Sequence, residues 1–219
     1  MRKPNETHLT RRAFLGLCLA VPAPLALTGY GGGALADAAG SVARSPRGLP
    51  QAQELPPTPA CGAADDPTPA QTEGPYFKPN TPERTSLLEP GLPGTRLVVS
   101  GYVLSRRCQP IARALLDFWQ ADANGAYDNA GYRFRGHQFT DDAGRYYLET
   151  VVPGRYPGRT RHIHVKVQAP NQPLLTTQLY FPGEPRNNTD GIFRPALLMS
   201  VEDVADGKAA TFDFVLNIS

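Results

Sequence analysis

The stretch "RYPGRTRHIHVKV", Arg155 to Val167, holds two histidines one residue apart, followed by alternating apolar residues. In an extended strand, residues two apart share a face, so His162 and His164 point one way while Ile163 and Val165 point the other. The apolar face can pack into a core, and two adjacent imidazoles are a common arrangement for holding a transition metal. The pattern fits equally well two histidines that line a wet sheet face, and that alternative stays open at this point.

The sequence around this stretch predicts a chain made mostly of strands. Twenty-three prolines and 21 glycines favour short strands and turns over long helices. Asp141–Gly144 reads as a hairpin turn, and Asp206-Gly207 as another. The predicted strands are Arg96–Leu104, Ala114–Ala121, Tyr132–Thr140, Arg145–Val152, His162–Gln168, Leu175–Phe181, Ala196–Val201 and Ala210–Leu216. We therefore expect an all-β fold, an antiparallel β-sandwich of about eight strands with long active-site loops.

The first 36 residues are expected to be a twin-arginine export signal. Arg11-Arg12 precedes a short apolar run, and Ala34-Leu35-Ala36 offers small residues at a cleavage site. A membrane anchor is the alternative, but the run is short and interrupted by prolines. We expect an exported protein, periplasmic or secreted, with no stable membrane insertion once the signal is removed.

Two further regions follow the signal. Residues 37–66 are rich in proline and alanine and have few large apolar residues, which predicts a linker. Residues 67–219 form the predicted domain. Of 22 basic and 20 acidic residues, four basic and one acidic lie in the first 36, so the remainder is near neutral and predicts no nucleic-acid partner. The pair Cys61 and Cys108 suggests a disulfide in an oxidising compartment, with two unrelated thiols as the alternative.

Tyrosines are the additional donors near the histidine pair. No cysteine is close, and Tyr127 and Tyr156 lie upstream. A neutral phenol is a poor ligand because its pKa is about 10, and a hard trivalent cation is what stabilises the phenolate. Two imidazoles with two phenolates therefore favour ferric iron over zinc or copper.

An ordered string of motifs resembles the intradiol ring-cleavage dioxygenases. It covers nearly the whole chain from about residue 68, and it is most similar to the protocatechuate 3,4-dioxygenase-like, exported single-domain branch. The motifs are "TEGPYF" (72–77), "LLDFWQADANGAYDN" (115–129), "FRGHQFTDDAGRYYLETVVPGRYP" (134–157), "RTRHIHVKV" (159–167) and "TTQLYFPGE" (176–184).

The resemblance implies a role for each matched residue. Fe(III) would be bound by Tyr127, Tyr156, His162 and His164, with Tyr156 as the tyrosine that leaves the metal when substrate arrives. The remaining matches are Arg159, which would stabilise negative charge on the ring, Gln178 beside the pocket, and Tyr76 lining it. Only five residues separate Tyr156 from His162, a shorter connection than in the well-known enzymes, which implies a more open site.

The implied activity is the insertion of both atoms of O2 into a catechol-type aromatic diol, giving a cis,cis-muconate. Relatives often associate, so the resemblance also allows a homo-oligomer. A rival function is an exported β-sandwich that binds carbohydrate or protein and carries a non-catalytic metal site. A zinc- or copper-dependent hydrolase or oxidase is disfavoured by the tyrosines. The lone Trp119 is expected to be a core aromatic, and His137, Tyr132, Tyr146 and Tyr147 are expected to be structural.

Overall fold

The computed structural model describes residues 66–219, which fold into nine strands and two short 3₁₀ helices. None of the helices in this range is long and apolar enough to cross a membrane. The strands are β1 Arg96–Leu104, β2 Leu115–Trp119, β3 Arg135–Phe139, β4 Arg145–Val151, β5 His162–Gln168, β6 Leu175–Tyr180, β7 Ser200–Val204, β8 Gly207–Thr211 and β9 Phe214–Val215. The 3₁₀ helices are Pro185–Asn188 and Pro195–Leu197.

The strands form two sheets. One, the histidine sheet, has the order β3-β2-β5-β6, and the other, the companion sheet, has the order β4-β1-β8-β7 with β9 also beside β1. Neighbours pair antiparallel, except that β1 pairs in parallel with β8 and β9. The predicted β-sandwich is confirmed, with nine strands in the described range.

An apolar core lies between the two sheets. Ile163 and Val165 of β5 contribute to it from the histidine sheet, and Leu97 and Val99 of β1 from the companion sheet. All four side chains are fully buried. The alternation expected for β5 therefore sets its apolar residues inward and its histidines outward.

Two predicted strands near the C-terminus have different bounds in the structure. The predicted strand 196–201 begins instead at Ser200, because Pro195–Leu197 forms a 3₁₀ helix. The predicted strand 210–216 is divided between β8 and β9. Between β8 and β9, the Asp213 carboxylate accepts a hydrogen bond from the Tyr102 N–H at 2.8 Å. In a continuous strand a backbone carbonyl would accept this bond.

The two predicted turns have different outcomes. Asp206-Gly207 joins the paired strands β7 and β8, as expected for a hairpin. Asp141–Gly144 is a turn, with the Asp141 carboxylate accepting from the Ala143 N–H, but β3 pairs with β2 and β4 with β1. The hairpin prediction was wrong here, because this turn carries the chain from one sheet to the other.

Candidate metal centre

The two histidines of β5 converge at their Nε2 atoms. These atoms lie 3.2 Å apart, and the side chains of His162 and His164 are 4% and 3% exposed. His162 Nδ1 lies 2.6 Å from the Thr160 carbonyl oxygen, which can only accept a hydrogen bond, so Nδ1 carries the proton. The lone pair of His162 Nε2 is therefore free to bind a ligand.

Burial keeps both imidazoles neutral. It lowers the pKa of His162 to about 4, and it lowers the pKa of His164 well below its usual value, with the neighbouring His162 as a second cause. The neutral imidazole is the form that binds metals. The pair is therefore ready to act as a ligand without losing a proton at neutral pH.

A close backbone crossing brings the two tyrosine-bearing loops together. Gly125 has φ +91, and a Cβ there would lie 2.4 Å from the Arg155 carbonyl oxygen. A Cβ on Gly154 would lie 2.2 Å from the Gly125 nitrogen, and the Gly154 N–H donates to the Asp122 carbonyl at 2.7 Å. Only glycine fits at both points. Tyr127 lies two residues after Gly125, and Tyr156 lies two residues after Gly154, so the crossing brings the two tyrosines close together.

Three tyrosines gather beside the histidine pair. The Tyr127 hydroxyl is 3.4 Å from His162 Nε2, and the Tyr127 ring stacks on Tyr76 with centroids 4.3 Å apart. The Tyr76 hydroxyl donates to the Tyr156 hydroxyl at 3.2 Å, and the rings of Tyr127 and Tyr156 are 6.1 Å apart. The structure thus brings the four predicted ligands together, with Tyr76 touching both tyrosines.

The donor set fits a ferric ion. Within residues 66–219 no group of three or more His, Cys, Asp or Glu side chains is placed to hold a metal ion, so the donors at this place are imidazole and phenol. Burial raises the pKa of Tyr127, and the nearby cations Arg159 and Arg135 lower it only in part. A phenolate at this position needs a strong positive charge beside it, which a bound trivalent metal provides.

Arg159 lies in a polar cluster next to the histidines. Its Nε donates to the Asp190 carboxylate at 2.8 Å, and a terminal nitrogen donates to Gln178 Oε1 at 2.6 Å. The Tyr180 hydroxyl donates to the same Gln178 oxygen at 3.0 Å, and burial raises the pKa of Tyr180 to about 12. Gln178 is fully buried and lies opposite His164 in the β5–β6 register. Arg159 is therefore a held side chain and not one of a loose surface cluster.

The sequence analysis missed several side chains of this site. Trp119 is fully buried, as expected of a core aromatic, but its ring also stacks on His164 with centroids 4.7 Å apart, a contact that the sequence analysis did not predict. The β2–β5 register, which places Trp119 directly opposite His164, decides this, and the sequence alone does not provide it. Asp190 was missed because it lies in a loop with no pattern.

Cys108 is disulfide-bonded. Its predicted partner, Cys61, lies outside the described residues, so the pairing between them stays a prediction.

Known proteins resemble this chain in sequence and in fold. The family model described as Dioxygenase matches residues 72–218. The dioxygenase domain of a dioxygenase and carbohydrate-binding protein fusion from Streptomyces sp. SirexAA-E is 64% identical, covers 70% of this chain and all of that one, and has a TM-score of 0.69. The 3-chlorocatechol 1,2-dioxygenase of Rhodococcus opacus 1CP is 30% identical with a TM-score of 0.65, covering 70% of this chain and 73% of that one.

Curated relatives extend the similarity. The β chain of protocatechuate 3,4-dioxygenase from Burkholderia cepacia is 32% identical over 55% of this chain and 63% of its own length. Hydroxyquinol 1,2-dioxygenase from a Rhizobium strain is 28% identical over 53% of this chain and 48% of its own. The chain spans about half to just under two thirds of these relatives. Since the family model covers more than half of this sequence, the chain belongs to the intradiol ring-cleavage dioxygenase family.

Proposed function

We propose that the protein is a non-haem Fe(III) dioxygenase that inserts both atoms of O2 into a catechol-type diol and yields a cis,cis-muconate. The observation that carries the proposal is the convergence of three donor atoms: His162 Nε2 lies 3.2 Å from His164 Nε2 and 3.4 Å from the Tyr127 hydroxyl. Relatives named for catechol, hydroxyquinol and protocatechuate support an aromatic diol as the substrate class.

The metal would be held by His162, His164, Tyr127 and Tyr156. When bound, it supplies the activation of the diol that makes its ring reactive toward O2. The two imidazoles contribute neutral donors, and the two phenolates contribute negative charge that suits a trivalent ion. Because the histidines are buried in neutral form, their ligand atoms need no deprotonation when the site is loaded.

Tyr156 is the side chain placed to move a proton. It is half-buried, and its hydroxyl contacts Tyr76 at 3.2 Å. As a phenolate oxygen it can take a proton from an incoming diol, while Tyr76 stays within hydrogen-bond reach of the oxygen that receives it.

Arg159 supplies a permanent positive charge for the reacting ring. Its guanidinium is oriented by Asp190 on one side and by Gln178 on the other. A cation held in place before reaction stabilises developing negative charge without reorganising at the moment of reaction. Tyr180, which also contacts Gln178, keeps that amide oxygen directed at Arg159.

The visible absorption spectrum tests the proposal. The iron-loaded protein should show a broad tyrosinate-to-iron band that moves to longer wavelength when catechol is added under nitrogen. Admission of oxygen should then consume one O2 per diol and give a muconate detectable by its ultraviolet absorbance. A protein that binds no iron and stays colourless after loading would contradict the proposal and favour a binding module.

We also propose that the protein is exported by the twin-arginine route, on the strength of the N-terminal sequence. Fractionation of cells that express the full chain should find the protein outside the cytoplasm and shortened near residue 36. Replacement of Arg11-Arg12 by two lysines should retain it inside. Export that is unaffected by this replacement would exclude the route.

A further inference from the structure

A third side chain, Lys166, lies on the outer face of β5 with the two histidines. It follows His164 by two residues, so its side chain leaves the strand on the same side, and it is only 9% exposed. A lysine this buried normally has a specific partner. The proposed reaction gives it no task.

The contacts of Lys166 converge on one short segment. Its Nζ forms an ion pair with the Glu73 carboxylate at 2.5 Å and lies 4.4 Å from the centre of the Phe77 ring. It also donates to the Thr176 hydroxyl of β6 at 3.2 Å. We call Thr72–Phe77 the capping segment. Lys166 thus contacts both ends of the segment from the strand that bears the histidines.

The capping segment lies against the ligand side chains. A Cβ placed on Gly74 would be 3.5 Å from His164 Cε1, so the backbone of the segment passes along that imidazole. Two residues later, Tyr76 stacks on Tyr127 and donates to the Tyr156 hydroxyl. A displacement of this segment therefore moves a wall shared by three of the four proposed ligands.

The capping segment is held by hydrogen bonds at Thr72 and Tyr76, and between these two residues it is held by the ion pair with Lys166. Gln178 Nε2 donates to the Thr72 carbonyl at 2.9 Å, and the fully buried Arg135 donates to the Tyr76 carbonyl at 2.5 Å. Between these two points, Glu73 is the side chain that ties the segment to the strand. The Glu73 side chain is 45% exposed and the Lys166 side chain 11%, so solvent reaches the ion pair from the side of the capping segment.

We propose that Lys166 is a positioning residue, which holds the capping segment against the metal ligands through Glu73 and Phe77 and so fixes the wall of the diol pocket. The inference rests on the proposed function for its catalytic consequence only. The contacts of Lys166 with Glu73 and Phe77 are a property of the fold, and their effect on the capping segment can be measured without turnover.

The test compares Lys166→Met and Glu73→Gln with a matched control, Lys208→Met. Lys208 is also a strand lysine paired with a carboxylate, that of Asp203, but it lies on β8 of the companion sheet. Amide hydrogen exchange of the peptide covering residues 71–77 should become faster by about tenfold in the first two variants, because local opening costs less there. It should be unchanged in the control.

Kinetics separate positioning from general stability. In iron-loaded Lys166→Met we expect the KM for catechol to rise by about tenfold with kcat changed by less than about twofold, since the pocket wall and not the ligand set is disturbed. The tyrosinate band should keep its intensity. The double variant should exchange no faster than Lys166→Met alone, because Lys166→Met already removes the ion pair with Glu73.

The outcomes distinguish this inference from the proposed function. If exchange and KM in Lys166→Met match those of Lys208→Met, Lys166 is not a positioning residue. Additive effects of Lys166→Met and Glu73→Gln on exchange would overturn the pairing on which the inference depends. Should Lys166→Met fail to fold, Glu73→Gln, a change at an exposed position, gives the same decision. A wild-type protein without the tyrosinate band would refute the proposed function. The hydrogen-exchange result would then still decide whether Lys166 positions the capping segment.

Discussion

The outer faces of the two sheets differ, although both sheets contribute apolar residues to the same core. On β5 of the histidine sheet every residue from His162 to Val167 is buried, whereas on β7 of the companion sheet four of five residues are exposed. The covered face carries imidazoles, a lysine and a buried glutamine. Burying such groups costs free energy unless specific partners offset it, so the covered face indicates where function is located.

Arg96 of the companion sheet and Arg159 beside the histidine sheet show the same difference between an exposed and a covered surface. Arg96 on β1 of the companion sheet forms ion pairs with Glu149 and Asp206, and its side chain is 33% exposed. Arg159 pairs with Asp190, but the side chains are 18% and 3% exposed, and the guanidinium also contacts Gln178. An exposed pair contributes little to stability, whereas an arginine held beside a buried site is placed to act on a ligand.

The largest contrast is expected between histidines of the same sheet. His162→Ala and His164→Ala should each lower iron content and reduce catechol turnover by more than about 1,000-fold, beyond the 10- to 100-fold cost of losing an outer partner of a ligand. His137→Ala is the control, because His137 lies on β3 and its Nδ1 contacts Thr81 instead of the proposed ligands. Iron content measured by mass spectrometry, together with oxygen uptake, checks the difference. If all three variants lost iron and activity equally, His162 and His164 would not be distinguished from His137 as metal ligands.

The next contrast compares Arg159→Met with Arg96→Met. The first should retain catechol binding, seen as the shift of the visible band, while the rate of reaction with O2 falls by about 100- to 1,000-fold, the usual cost of removing one group that stabilises transition-state charge. The second should leave both unchanged. Stopped-flow mixing of the anaerobic complex with oxygen measures the rate. A normal rate in Arg159→Met would show that this arginine only packs beside the site.

The pH dependence of stability should also differ between the metal-free protein and a variant without the buried imidazole. The pKa of His162 is about 4 in the folded state, below its ordinary value near 6.5, so only the unfolded chain gains a proton as the pH falls through this window. The free energy of unfolding of metal-free protein should therefore fall by about 3 kcal/mol between pH 7 and pH 4 from this group. Urea unfolding checks the slope, which should be flatter in His162→Gln.

The smallest expected effect concerns the backbone crossing. Gly154→Ala should destabilise the fold by about 1–3 kcal/mol, because its Cβ would lie 2.2 Å from the Gly125 nitrogen and force the two loops apart. Gly191→Ala is the control, since a Cβ there meets nothing within 4 Å. Thermal unfolding of the two variants measures the difference. If both variants unfold at the wild-type temperature, the backbone at the crossing can shift to accept a Cβ at Gly154 without a cost in stability.

Much of the histidine sheet could be predicted from the sequence, because alternation marks a strand whose two faces have different chemistry. The bounds of β1 and β5 agree with the predicted ones, and the convergence of Tyr127, Tyr156 and the two histidines was predicted from motifs. Their roles as ligands stay predictions. Asp190 and Lys166 could not be found in this way, because the partners that define them lie 31 and 93 residues away in the chain.

What the sequence by itself determined is periodic or local: the β-sandwich class, the outward direction of His162 and His164, and the motif order that resembles the family. The tertiary structure decided how distant segments meet, including Trp119 stacked on His164. It also decided that Asp141–Gly144 joins two sheets and that Gly125 passes Gly154. The physical reason is that alternation fixes which face a side chain takes, whereas strand register and loop crossings depend on packing between residues far apart in the chain.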